Sequence, residues 1–383
     1  MTQATDHRLA PVSAPDPAHP GPPVEPAVPA PAAETPAPRR PRLLVLDGLR
    51  LGAAVMVVAY HLVGDKLGAW QDPSAGAIFG PVHAVAKYGF LGVQLFFIIS
   101  GFVICMSAWG RTVGDFFVSR VVRLYPAYWF AVLLATGVLL LVPREGRPEP
   151  RQVLGNLTMM QDFLGIGHLD LSYWTLTVEM IFYLLFAILV ARGLSYRGVV
   201  AFCALWTIGS LVVPKFGNTW LIQVTAANHS SYFIAGVALY LIHRFGPNLL
   251  LWSIVGLSGL VALTRLPGLA RAREVGYLPS AVIVVFFLAL MAAVALGRFG
   301  WVRWSWVATA GALTYPLYLI HQTLGIALIQ RAQDHLSPWL LIGAVFAGLL
   351  LAAWLIHRFV ERPVARWMKP RLTAAVRQAR EAR

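Results

Sequence analysis

The chain is short of charge. Asp, Glu, Lys and Arg together make up 13% of its 383 residues, about half the usual share of roughly a quarter in soluble proteins. A water-soluble protein wrapped around one small core is therefore excluded. Acids are scarcer still, 17 against 31 Lys and Arg. Cysteine is nearly absent: Cys105 and Cys203 both lie inside apolar segments, which leaves no disulfide framework and no metal-binding spacing, and predicts two buried, inert thiols. No repeat of fixed period is apparent, which argues against a solenoid and against a transporter built from two similar halves. The first residues also lack an apolar core followed by a small-residue cleavage site, so they do not read as a secretory signal.

Apolar runs are what the chain has instead. Hydrophobic residues are 58% of it, and stretches long enough to cross about 30 Å of hydrocarbon recur along it. About ten are predicted, near 43–64, 88–108, 125–142, 173–191, 198–213, 229–244, 248–264, 277–296, 305–329 and 337–357. The net charge of +14 does not point to nucleic acid, because the cations cluster in the short connections between apolar runs, where cytoplasmic loops carry them. Arg111, Arg120, Arg123, Arg192, Arg197, Arg244, Arg298, Arg303 and the tail from Arg358 fall on one side; Arg265, Arg271 and Arg273 run against the pattern. The expected fold is an all-α integral membrane protein: about ten transmembrane helices in one bundle, both termini cytoplasmic, multi-pass in the cell (cytoplasmic) membrane. Residues 1–41, rich in Pro and Ala, read as a disordered tail, residues 42–365 as the membrane domain, and 366–383 as a basic tail.

Ionisable groups in hydrocarbon are expensive and point to function. Those expected to lie deep are Asp47, Arg50, His61, Glu179 and His321. On an ideal helix, Arg50 and His61 lie within roughly 20° of one face and about 16 Å apart along it. From the predicted direction of each helix, Asp47 and Arg50 mark the inner half of the membrane, and His61, Glu179 and His321 the outer half. Apolar surroundings favour a neutral imidazole that accepts a proton, and a nearby carboxylate orients it. That set suits activation of a hydroxyl for attack on an acyl group, and equally a proton relay in a transporter. Blander roles also fit: a structural Asp47–Arg50 pair at i, i+3, or a histidine that only joins two helices.

Two further segments carry signals. Arg120-Val121-Val122-Arg123-Leu124-Tyr125-Pro126-Ala127-Tyr128-Trp129 places two cations at i, i+3 beside aromatic residues, a site for phosphates or an anchor at the membrane surface. In Phe96-Phe97-Ile98-Ile99-Ser100-Gly101-Phe102, the small residues permit close helix approach, and Ser100 is placed to line a substrate path.

These segments together resemble the integral-membrane acyltransferase 3 family of O-acyltransferases. The resemblance covers about residues 42 to 365 and keeps the family's order. Asp47-Gly48-Leu49-Arg50 with His61 is similar to its Arg-x10-His element. The Phe96–Phe102 segment, Arg120 to Pro126, Trp174-Thr175-Leu176-Thr177-Val178-Glu179, Tyr315-Pro316-Leu317-Tyr318-Leu319-Ile320-His321 and Glu361-Arg362-Pro363 resemble its later motifs. The resemblance implies a short form without an appended hydrolase-like domain. It implies no permanently bound cofactor and no metal. The donor it implies is an acyl-coenzyme A, most simply acetyl, and the acceptor a hydroxyl of a carbohydrate or a macrolide-type metabolite. Arg120, Arg123, Ser100 and Tyr125 are the expected donor-binding residues; His61 is the expected base, positioned by Glu179 or Asp47, with Arg50 stabilising charge and His321 completing the site. Met180 stands where many members carry a second acid, which removes a mechanism needing adjacent carboxylates. A proton-coupled transporter is the alternative reading.

Overall fold

The computed structural model describes residues 43–65, 69–70, 73–142 and 147–382; the expected disordered tail lies outside them. Among these residues every regular element is helical, as apolar surroundings demand, because a helix satisfies its own backbone polar groups. The elements run α1 (Leu44–Ala59), α2 (Ala75–Phe79), α3 (Pro81–Ala86), α4 (Gly92–Ala108), α5 (Val113–Leu141), α6 (Pro150–Leu157), α7 (Trp174–Ala191), α8 (Tyr196–Val212), α9 (Thr219–Val224), α10 (Ser230–Phe245), α11 (Leu249–Ala272), α12 (Tyr277–Ala295), α13 (Ser305–Ala332), α14 (Pro338–Ile356) and α15 (Arg362–Glu381). Side-chain caps mark several starts on the face that carries most cations, the basic face. Thr112, Ser195 and Asn248 accept from the amides of Asp115, Gly198 and Leu251, each satisfying a donor the first turn leaves open.

Among the described residues nine helices are long and apolar enough to span a membrane. The tenth apolar run is α10, only 16 residues long and buried at every position from Ser230 to Ile242. It is the enclosed centre of the bundle. Glycine makes that possible: a Cβ on Gly101 of α4 would collide with the carbonyl of Phe233, and one on Gly236 of α10 with the carbonyl of Ile98, so the two backbones approach as only small residues allow. Cys105 and Cys203 are fully buried free thiols.

The segment before α7 departs from the predicted loop. The hydroxyl of Tyr128 donates to Asn156 O (2.6 Å), the indole of Trp129 to Leu157 O (3.1 Å) and the hydroxyl of Tyr125 to Thr158 O (3.1 Å). α5 continues for twelve residues beyond Trp129, about 18 Å of helix. The 147–173 stretch thus folds back into the bundle to roughly mid-depth. Irregular backbone is tolerated there only when its polar groups find partners, and Asn156 supplies several of them. The Asn156 amide nitrogen donates to Gln152 O and Gly167 O, and its oxygen accepts from Leu169 N. α7 therefore begins in the interior, its preceding Tyr173 ring 5.2 Å from Tyr128, and every later residue of α7 lies closer to the basic face than a full-length span would place it.

Candidate active site

α1 packs on α13, and their contacts define the site. Near the start of α1, Asp47 is buried against Gly311, where a Cβ would strike its carboxylate. Further along, Leu62 fills the space above Gly325. Between these contacts lie Arg50 and His61, and each has a different neighbourhood.

Arg50 lines a cavity of about 120 Å³ together with Ser100, Arg120, Arg123, Glu179 and Tyr183. Three guanidinium groups and one carboxylate thus border one space. The Glu179 carboxylate accepts from Ser100 Oγ (2.5 Å) and Tyr183 Oη (2.6 Å) through the same oxygen. Such charge-assisted bonds hold the side chain in one orientation. Arg123 Nη1 is 2.5 Å from Glu361 Oε1, and His357 Nδ1 is 2.9 Å from the other oxygen. Both partners lie on a π-helical turn, His357–Glu361, which links α14 to α15. Arg120 has no carboxylate partner among the described residues; its guanidinium lies 5.8 Å from the Tyr183 ring and 6.0 Å from that of Phe116.

His61 sits on a second π-helical turn, Tyr60–Gly64, that ends α1. π-turns are rare and frequently mark functional sites. Its ring lies 5.0 Å from that of His321 between centroids, and the hydrogen bonds fix both tautomers. His321 Nδ1 is 2.6 Å from Tyr318 O. A carbonyl only accepts, so this nitrogen carries the proton, and in neutral imidazole the other nitrogen is bare. That bare Nε2 is 3.0 Å from His61 Nδ1, which is also 3.1 Å from Val57 O. His61 Nδ1 therefore carries a hydrogen, and the unprotonated position of His61 is Nε2. His321 is fully buried, whereas His61 is only partly so.

The sequence placed Glu179 beside the histidines; the structure places it on the arginine cavity. The cause is the infolded 147–173 segment, which starts α7 at mid-depth. The partner of the His61 ring is accordingly His321, and neither Glu179 nor Asp47 bonds to it. Of the four residues expected to bind the donor, Ser100, Arg120 and Arg123 line this cavity and Tyr125 does not. It faces a separate apolar groove between α5 and α7 and holds Thr158. Arg265 and Arg273, which ran against the charge pattern, are tied to the protein: Arg265 donates to Ala227 O and Ser210 O, and Arg273 to Tyr60 Oη (2.9 Å).

Two acids carry more structure than the sequence revealed. Glu361 was visible only as part of a closing motif. Asp170 falls between two predicted spans, and its Asp-x-Ser pattern signals no more than a local turn. It is 1% exposed and reaches α13 two residues beyond His321.

Comparison with known proteins identifies the family. A family profile described as an acyltransferase domain matches residues 43–358. Acyltransferase MdmB of Streptomyces mycarofaciens is 22% identical over 378 residues, 88% of this chain and 95% of that one. A putative peptidoglycan O-acetyltransferase of Bacillus subtilis (strain 168), YrhL, is 24% identical over 378 residues, covering 83% of this chain but only 54% of the longer relative. No solved structure matches. With α1 to α14 inside the matched range, the chain belongs to the integral-membrane acyltransferase family and is an enzyme that transfers acyl groups.

Proposed function

We propose that the enzyme moves an acyl group, most simply acetyl, from an acyl-coenzyme A to a hydroxyl of a carbohydrate or a macrolide-type metabolite. One observation supports the reading most: a single helix carries Arg50 into a cationic cavity and His61 into a histidine pair whose tautomers leave His61 Nε2 bare. Phosphates of the donor meet Arg120, which has no competing carboxylate, and Arg123, which Glu361 orients. Arg50 adds a third cation to that cavity and stabilises the donor's negative charge. His61 Nε2 removes the acceptor's hydroxyl proton; the oxygen forms its bond to the carbonyl carbon, the carbon–sulfur bond breaks, and the thiolate takes up a proton. His321 holds the His61 ring throughout.

In this scheme the basic face is the cytoplasmic one, where coenzyme A is found, and the membrane is the cell membrane. The relatives' printed activities, acyl transfer and O-acetylation of peptidoglycan, are consistent with a hydroxyl acceptor. The test is release of free coenzyme A from acetyl-coenzyme A by purified protein supplied with candidate sugars and macrolides, alongside His61→Ala. Acceptor-dependent release is expected from the native protein, reduced roughly 10²- to 10⁴-fold in the variant. Proton-driven solute uptake without coenzyme A release would contradict the reading, and equal release by both proteins would remove His61 from it.

A further inference from the structure

Asp170 is a carboxylate in the protein interior that the scheme above does not use. One oxygen accepts from Ser172 N (2.8 Å) and Ser172 Oγ (2.6 Å); the other accepts from Thr323 N (2.9 Å) and Thr323 Oγ1 (2.7 Å). Thr323 is in the middle of α13, where an amide ordinarily bonds to the carbonyl four residues back. That carbonyl, of Leu319, accepts from the hydroxyl of Tyr173 (3.3 Å). The infolded segment therefore supplies a partner to each member of an i, i−4 pair, Asp170 to the amide and Tyr173 to the carbonyl. His321 sits inside that turn, bonded to Tyr318 O. Pro316, one turn earlier in the same helix, already removes a donor from the ladder.

Both oxygens accept two bonds each, which a neutral Asn, with one acceptor oxygen, does not match. A carboxylate is costly in the interior unless its charge serves something, and no Lys or Arg among the described residues bonds to this one. The group that acquires positive charge during the proposed reaction is the histidine pair, whose His321 lies two residues before Thr323 on the turn that Asp170 holds.

We propose that Asp170 is a positioning residue for acyl transfer: it fixes the α13 turn that presents His321, and so the bare nitrogen of His61, and it stabilises the positive charge that arrives there with the acceptor's proton. The proposal rests on His61 being the base. Asp170 touches no substrate in it, so its loss slows turnover without weakening donor binding.

The experiment compares Asp170→Asn, Thr323→Val, Thr323→Ser and His61→Ala in purified protein, with kcat, KM for acetyl-coenzyme A and thermal midpoint measured for each. Asp170→Asn is expected to lower kcat about tenfold or more, the scale typical of lost orienting partners, with KM close to native and a loss of turnover larger than any drop in thermal midpoint accounts for. Thr323→Val, which keeps the amide donor and loses the hydroxyl, loses less, and Thr323→Ser restores native turnover. A native kcat in Asp170→Asn overturns the proposal, as does a fall in kcat that only follows a fall in thermal midpoint. Should Asp170→Asn fail to fold, the Thr323 pair decides: native turnover in Thr323→Val overturns the proposal, and loss in Val with recovery in Ser upholds it. His61→Ala separates the two levels. An inactive His61→Ala beside a native-like Asp170→Asn removes only the role of Asp170, whereas a fully active His61→Ala removes the base on which that role depends.

Discussion

The two ends of the Arg50–His61 stretch sit in contrasting surroundings. Around Arg50 the protein gathers permanent charge, with Arg120, Arg123 and Glu179 on one cavity wall. Around His61 the bonded neighbours are a second imidazole and backbone carbonyls, none of which has a fixed charge. The first environment suits holding a polyanionic ligand, where field and bidentate geometry matter. The second suits moving a proton, where a group must change charge without being locked in either state. Binding and chemistry are thus divided along one helix, and α13 is the wall common to both: Gly311, Thr314 and Tyr315 face the cavity, and His321 faces His61.

Changes at each end should fail in different ways. The largest effect beyond His61 itself belongs to its partner ring: His321→Leu, which leaves His61 Nδ1–H without its side-chain acceptor, is expected to lower kcat by about 10- to 100-fold, whereas His321→Gln, which still offers an acceptor, should lose distinctly less. Equal losses in the two would mean that packing, and not the hydrogen bond, is what His321 provides. Next comes Arg120→Gln. Donor KM should rise about tenfold with kcat near native, the pattern of lost uniform binding; a fall in kcat at unchanged KM would place Arg120 on the chemical side instead. The smallest change is Ser100→Ala. It removes one of two donors to Glu179, and a loss of less than about tenfold in kcat/KM is expected because Tyr183 still holds the carboxylate. A loss as severe as that of His61→Ala would show Ser100 to be part of the chemistry.

The all-helical bundle and most of its spans were legible in the sequence because hydropathy reports directly on the solvent a segment needs. The pairing of His61 with His321 was half legible: both were identified as deep and at one level, but their contact depended on α1 packing beside α13, which a single chain does not encode in any local pattern. In Phe96–Phe102 the two proposed roles separate by one residue, since Gly101 packs on Phe233 while Ser100 turns to Glu179. Glu179 was misplaced because its depth was counted from Trp174 as though α7 began at the membrane surface. The polar, Gly-containing stretch that precedes it reads as a surface loop, and its burial is created by side chains far away on α5, among them Tyr125, Tyr128 and Trp129. Asp170 was hidden for the same reason. The tie between Arg123 and Glu361 joins residues 238 positions apart, beyond the reach of any spacing rule.

Division of labour along α1 is tested most directly by measuring equilibrium binding of acetyl-coenzyme A to purified His61→Ala protein together with its single-turnover acyl transfer. Binding within about twofold of native, with transfer lost by at least about 10², is the expected result. Native transfer, or loss of donor binding in step with transfer, would contradict it.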